Sequence, residues 1–173
     1  MRLQSKKQMS ETFLIGAMLA IVGGFLDAYT YISRGGVFAN AQTGNIVLLG
    51  MNIASGDWEK VLYYIVPILA FAAGVLVAEA VRQHFRRRPA IHWRQIILLV
   101  ELFLLLGIAF LPSGRLDLAA NTAISFICSL QVESFRKVNG NAFATTMCTG
   151  NLRSGMELLF RFVQTREGAL LRR

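Results

Sequence analysis

Phe38-Ala39-Asn40-Ala41-Gln42-Thr43-Gly44-Asn45 is a polar, glycine-containing run between two strongly apolar stretches, and a relative of it returns as Phe143-Ala144-Thr145-Thr146-Met147-Cys148-Thr149-Gly150-Asn151. The residues ahead of each copy also correspond. Arg34-Gly35-Gly36-Val37-Phe38 lies over Asn139-Gly140-Asn141-Ala142-Phe143, after which the second copy carries one extra residue before its Thr-Gly-Asn. Each copy follows an apolar helical stretch and precedes a shorter one. Such a pairing reads as an internal repeat; the competing reading is two unrelated helix N-caps, since a lone Thr-Gly-Asn carries little information.

The composition says what surrounds these motifs. The 173 residues are 54% hydrophobic and only 16% charged, with a mean hydropathy of +0.49, which is too apolar for an ordinary water-soluble domain and places the chain in a bilayer. The formal net charge of +8 does not point to nucleic acid, because the basic residues sit between apolar runs without interleaved aromatic side chains. Cys128 and Cys148 have neither metal-ligand nor disulfide spacing and read as reduced packing residues, while His84 and His92 fall in a basic loop without ligand partners. No cofactor or metal is expected. Arg2, Lys6 and Lys7 ahead of an apolar run resemble a signal peptide, but the run lasts about twenty residues without a small-x-small cleavage site, so a retained first span is expected.

Phe13 to Ile32 is long enough to cross a hydrocarbon core of roughly 30 Å, with Asp27 its one charge. Thr43 to Ala54 is apolar but about twelve residues long, too short to cross alone. Val61 to Val81 is a second span, with Trp58, Tyr63 and Tyr64 as an aromatic belt and with Pro67 and Gly74 as sites of kinking or close packing. Ile96 to Leu111 and Leu118 to Phe135 are the third and fourth. Leu152 to Val163 is amphipathic, Leu152, Met156, Leu159, Phe160 and Val163 opposing Arg153, Glu157 and Arg161.

Charge sets the topology. If each motif dips into the bilayer and returns to its own side, then of the eighteen lysines and arginines only Arg34, Lys60 and Arg115 lie outside, as the positive-inside rule asks. The N-terminus, the Arg82 to Arg94 loop and everything beyond Phe135 are then cytoplasmic. One motif then enters from outside and the other from the cytoplasm. The expectation is an all-α polytopic membrane helical bundle, a single transmembrane domain over 1–173 with two inverted repeats, about 13–81 and 118–173, each carrying a short re-entrant helix at its Thr-Gly-Asn. Thr43 and Thr149 stand where they would N-cap the returning half-helices and aim backbone N–H groups inward.

Gly24-Phe25-Leu26-Asp27-Ala28, the run from Phe38 to Asn45, Ser129-Leu130-Gln131 and the run from Thr145 to Leu152 together resemble the YoaK-type family of bacterial integral membrane proteins, over nearly the whole chain. The resemblance implies a bacterial inner-membrane protein and supplies no catalytic site. It also leads one to expect a further span after the second motif, as does the repeat, which has no second counterpart of Val61 to Val81. A longer chain, a homo-oligomer covering Ala142 to Asn151, or an interfacial helix from Leu152 to Val163 would each answer that expectation.

The candidate solute-binding residues are Asp27, Asn40, Gln42, Thr43, Gly44, Asn45, Gln131, Thr146, Thr149, Gly150 and Asn151. Asp27 is either a functional intramembrane carboxylate or a hydrogen-bond acceptor for neighbouring hydroxyls or the motif backbone. Gln131 is either its neutral counterpart in the second repeat or a helix-to-helix hydrogen bond. Glu79 is expected to pair with Arg82, and Glu101 to reach Arg94 or face a partner helix. The leading expectation is a transporter or channel for a small anionic or neutral solute, the runner-up a structural or regulatory membrane protein. An enzyme is not expected, since no metal-spaced histidines, nucleophile-base pair or nucleotide loop is present.

Overall fold

The computed structural model describes residues 12–85, 93–138, 141–142 and 148–165. Among these the chain is helical except for loops and one two-residue ladder: α1 Phe13–Ser33, α2 Gln42–Ser55, α3 Trp58–Phe85, α4 Trp93–Ala109, α5 Asp117–Ser134, β1 Lys137–Val138, β2 Asn141–Ala142 and α6 Cys148–Thr165. The expected helices are all present, most of them one to four residues longer at an end, while α4 and α5 stop two and one residues early. The ladder, antiparallel with Lys137 opposite Ala142 and Val138 opposite Asn141, was not expected. Two compact units result, residues 22–134 and residues 1–21 with 135–173.

In the larger unit the helix ends explain the path. Gly35 and Gly36 both take left-handed backbone conformations (φ 86° and 83°), which cost a glycine little and other residues much. The Gly36 N–H closes back on the Tyr31 carbonyl at 3.1 Å, and the chain leaves α1 in a sharp turn. At the other end of α2, the N–H groups of Gly56 and Asp57 bond the carbonyls of Ile53 and Asn52, a reciprocal closure that ends one helix two residues before the next starts. Asp57 caps α3 by accepting the Lys60 N–H at 3.2 Å, and that backbone bond, with the Lys60 ammonium beside it, holds its carboxyl below the usual carboxylate range.

Packing centres on α5. On one side α3 approaches so closely that a Cβ on Gly74 would lie 1.9 Å from Ser129 Oγ and 2.7 Å from the Phe126 carbonyl oxygen. On the other side α4 contributes Ile97, clustered with Ala78 and Leu130, and Ile108, clustered with Leu26, Ala39, Ala120 and Ile124. The expected aromatic belt is only partly there. Trp58 is exposed, but Tyr64 is buried and Tyr63 turns inward to donate its hydroxyl to the Arg34 carbonyl, because the Arg34 turn lies against that end of α3. The expected Glu79–Arg82 pair forms at 3.1 Å.

Polarity is reversed relative to a water-soluble domain. Phe110 and Ile32 are 81% and 80% exposed, and Phe25, Leu76 and Phe103 also face outward, whereas Arg34, Asn45, Asn121 and Ser125 are buried. Among the described residues two helices, Phe13–Ser33 and Trp58–Phe85, are long and apolar enough to cross a membrane. In the smaller unit α6 is amphipathic as expected: Leu152, Met156, Phe160 and Val163 are exposed on its apolar face, and Arg161 pairs with Glu157 one turn away. Cys148 is exposed rather than a packing residue, while Cys128 is buried.

Candidate functional site

The first motif folds on itself, and the phenylalanine, glycine and asparagine that both copies share each have a physical job in that fold. The Asn45 side chain acts as a surrogate backbone: its Oδ1 accepts the Phe38 N–H at 2.9 Å and its Nδ2 donates to the Phe38 carbonyl at 2.7 Å. Gln42 accepts a second bond from Asn45 Nδ2 at 2.9 Å and donates to the Ala39 carbonyl at 2.9 Å. Gly44 is where the Phe38 ring rests, since a Cβ there would stand 2.8 Å from the ring, and Tyr31 stacks on that ring at 4.5 Å between centroids. The phenylalanine, the glycine and the asparagine therefore form one local knot.

A half-buried carboxylate anchors this knot to α1. Asp27 Oδ1 accepts the backbone N–H of Asn40 at 2.7 Å and of Ala41 at 3.3 Å, and Asn40 Nδ2 donates to the Gly23 carbonyl at 3.0 Å. Asp27 is thus the hydrogen-bond acceptor for the motif backbone, the second of the two roles open to it. This corrects the reading of Thr43 as the cap. α2 starts at Gln42 after Ala41, which makes no side-chain capping bond, so Thr43 is already the second helical residue and is exposed. Thr149 likewise falls inside α6, which starts at Cys148. A negative charge at a helix N-terminus is favourable by about 0.3–1 kcal/mol, rising to about 2 kcal/mol when partly buried, and here the protein supplies that charge itself. We expect Thr43→Val to change stability by less than about 0.5 kcal/mol, and Asn45→Ala, which frees the Phe38 N–H, to cost about 1–3 kcal/mol, both read from unfolding in detergent.

Arg34 holds the outer part of the same segment. It is 2% exposed and its guanidinium donates to Tyr29 Oη at 2.8 Å, the Leu111 carbonyl at 2.8 Å, the Pro112 carbonyl at 3.0 Å and Asp117 Oδ1 at 3.1 Å. Its own carbonyl accepts from Asn121 Nδ2 at 2.7 Å and from Tyr63 at 3.2 Å. The loop from Arg34 to Ala41 is therefore tied to α1, α3, α5 and the turn before α5. Sequence reasoning took Arg34 only as an outside charge.

Further polar groups come from α5. Asn121, Ser125 and Ser129 recur every fourth residue and are all buried, a spacing that puts them on one face and that could have been read from the sequence. Asn40 Oδ1, Asn121 Oδ1 and Ser125 Oγ are buried with no hydrogen-bond partner among the described residues. Cys128 lies within hydrogen-bonding reach of the Asn40 side chain and in the electrostatic field of both Asp27 and Glu101. Gln131 is fully buried on α5 one turn further. Asp27, Asn40, Gln42, Gly44 and Asn45 are thus brought together. Thr149, Gly150 and Asn151 sit in the first turn of α6 in the other unit, and Thr146 lies outside the described residues. Glu101 does not reach Arg94, which donates instead to the Ser134 carbonyl at 2.9 Å.

The family described as "Protein of unknown function (DUF1275)" matches residues 15–173. The UPF0700 transmembrane protein YoaK of Bacillus subtilis (strain 168) is 27% identical over 147 residues, which cover 82% of this chain and 64% of that protein. The match thus spans a little under two thirds of the relative's length. No solved structure matches the chain.

Proposed function

The chain belongs to the DUF1275 family, and from that premise we propose that it is a polytopic protein of the bacterial plasma (inner) membrane, N-terminus cytoplasmic, that passes a small hydrogen-bonding solute through its polar interior. The transmembrane name of the YoaK relative and the exposed apolar surface support the membrane setting. Gly23, against which Asn40 rests, is eleven residues below Arg34 along α1, about 16 Å of helix. That depth is near the middle of a hydrocarbon core of about 30 Å, so the Arg34 to Ala41 segment is re-entrant and α2 is the returning half-helix.

The observation that carries transport is the set of buried atoms Asn40 Oδ1, Asn121 Oδ1 and Ser125 Oγ, with no hydrogen-bond partner among the described residues. Burying a polar atom unsatisfied costs about 1–3 kcal/mol, so a bundle that served only as a scaffold would gain by replacing Ser125 with alanine. Water and a hydrogen-bonding solute are the ligands that suit these atoms. Asp27 already occupies the N-terminus of α2, so the seat favours neutral or cationic solutes over the anions first expected.

The runner-up, a structural or regulatory membrane protein, rests on a groove of about 850 Å³ lined by Ala70, Ala73, Ala119 and Ala123 among α3, α4 and α5, of a kind that receives a neighbouring helix. Gly74 does not contribute to it, being filled by α5. We assign no enzymatic activity. Uptake of neutral and cationic solutes into proteoliposomes tests the reading through Ser125→Ala. Stability should stay equal or rise by up to about 1 kcal/mol, while flux should fall several-fold. Equal flux in the two proteins would return Ser125 to packing and favour the scaffold.

A further inference from the structure

We propose that Glu101, buried on the face of α4 that packs against α5, is a proton-exchange site inside the bundle. The proposal rests on the transport reading for what the proton would drive, and on geometry for the site itself. Glu101 is 6% exposed. Its Oε2 is buried with no hydrogen-bond partner, and no ion pair reaches the carboxyl among the described residues. It stands one turn above Ile97 and two turns below Ile108 on the face of α4 that packs against α5.

The groups facing it decide its chemistry. From α5 comes the Cys128 thiol, fully buried and in the field of both carboxylates. Asn40, within hydrogen-bonding reach of that thiol, carries a further buried oxygen, Oδ1, with no partner among the described residues. Asp27 already accepts two backbone N–H groups. The nearest cation on its own helix, Arg94, is directed to the Ser134 carbonyl and the Trp93 ring, and on α3 the Arg82 guanidinium pairs with Glu79. The two carboxylates therefore differ. Asp27 has donors to stabilise a charge, whereas Glu101 Oε2 has none among the described residues. An isolated ionised carboxylate in such surroundings is very costly, and the group is neutralised by a proton instead. The proton is taken from water and bound to a carboxylate oxygen, and release returns it to water, so charge and atoms balance without a co-reactant.

Infrared spectroscopy of the reconstituted full chain tests this directly. Wild type should show the carbonyl stretch of a protonated carboxyl, shifting in D2O and titrating away as pH rises. Glu101→Gln should lose that band, Glu101→Asp should retain one, and Asp27→Asn should leave it in place. Absence of any titrating carboxyl band in wild type overturns the proposal without recourse to a variant, as does an unchanged band in folded Glu101→Gln. A titrating Glu101 band in a protein that moves no solute supports the proton site and removes the transport reading, so the two fail separately.

Discussion

Gly74→Leu is expected to leave no folded protein. Any side chain at this position must enter the α3–α5 contact, where the first carbon alone would lie 1.9 Å from Ser129 Oγ and 2.7 Å from the Phe126 carbonyl oxygen. The serine hydroxyl has somewhere to rotate, although it would give up its 2.7 Å bond to Phe126. The carbonyl has not, because it is helix backbone. Accommodation means moving α3 away from α5, and helices in a bilayer are held by close packing and internal hydrogen bonds rather than by a drive to leave water. Overpacking costs about 1–3 kcal/mol for an added methylene or two and more where backbone must shift. Gly74→Ala paired with Ser129→Gly, which removes the nearest atom, should recover part of what Gly74→Ala loses. Size-exclusion profiles and unfolding midpoints in detergent report both effects.

Arg34→Ala is expected to cost about 3–5 kcal/mol, the range for breaking a buried ion pair by deleting one partner. Asp117 would lose its cation, and the carbonyls of Leu111 and Pro112 and the Tyr29 hydroxyl would lose their donor together. Arg34→Lys should rescue little, because one ammonium cannot spread to four acceptors as a planar guanidinium does. Asp117→Asn keeps an oxygen acceptor and should be milder than either. Equal stability of the lysine and arginine forms in a detergent unfolding series would show that the charge matters here and the fork of donors does not.

How far the sequence could be read follows from which interactions are local. The helices were legible because long apolar runs and Gly-Asp or Pro-Ser-Gly punctuation mark them within a few residues. Phe38, Gly44 and Asn45 stood out through the repeat, yet their roles depend on contacts seven residues apart, between Asn45 and the Phe38 backbone, that no periodicity reveals. Thr43 misleads for the same reason: a threonine ahead of an apolar run is the usual cap, but here α2 already starts at Gln42, and a carboxylate thirteen residues before Asn40 accepts the N–H groups of Asn40 and Ala41 just ahead of the helix. Arg34 was invisible as a hub because its partners at Leu111, Pro112 and Asp117 lie 77 to 83 residues away. For Glu101 the sequence left two partners open, Arg94 or a neighbouring helix; it is buried on α4, and the arginine finds a carbonyl forty residues on.

The central claim is the reversal at Asn40, which makes α2 return to the side from which the loop entered. Single cysteines at Ser33, Ser55 and Gln83, all exposed positions, in a background with Cys128 and Cys148 replaced, measure it through labelling by a membrane-impermeant thiol reagent in sealed, oriented vesicles. The account predicts that positions 33 and 55 react from one face and position 83 from the other. Reaction of 33 and 55 from opposite faces would mean that α2 crosses the membrane, and would contradict it.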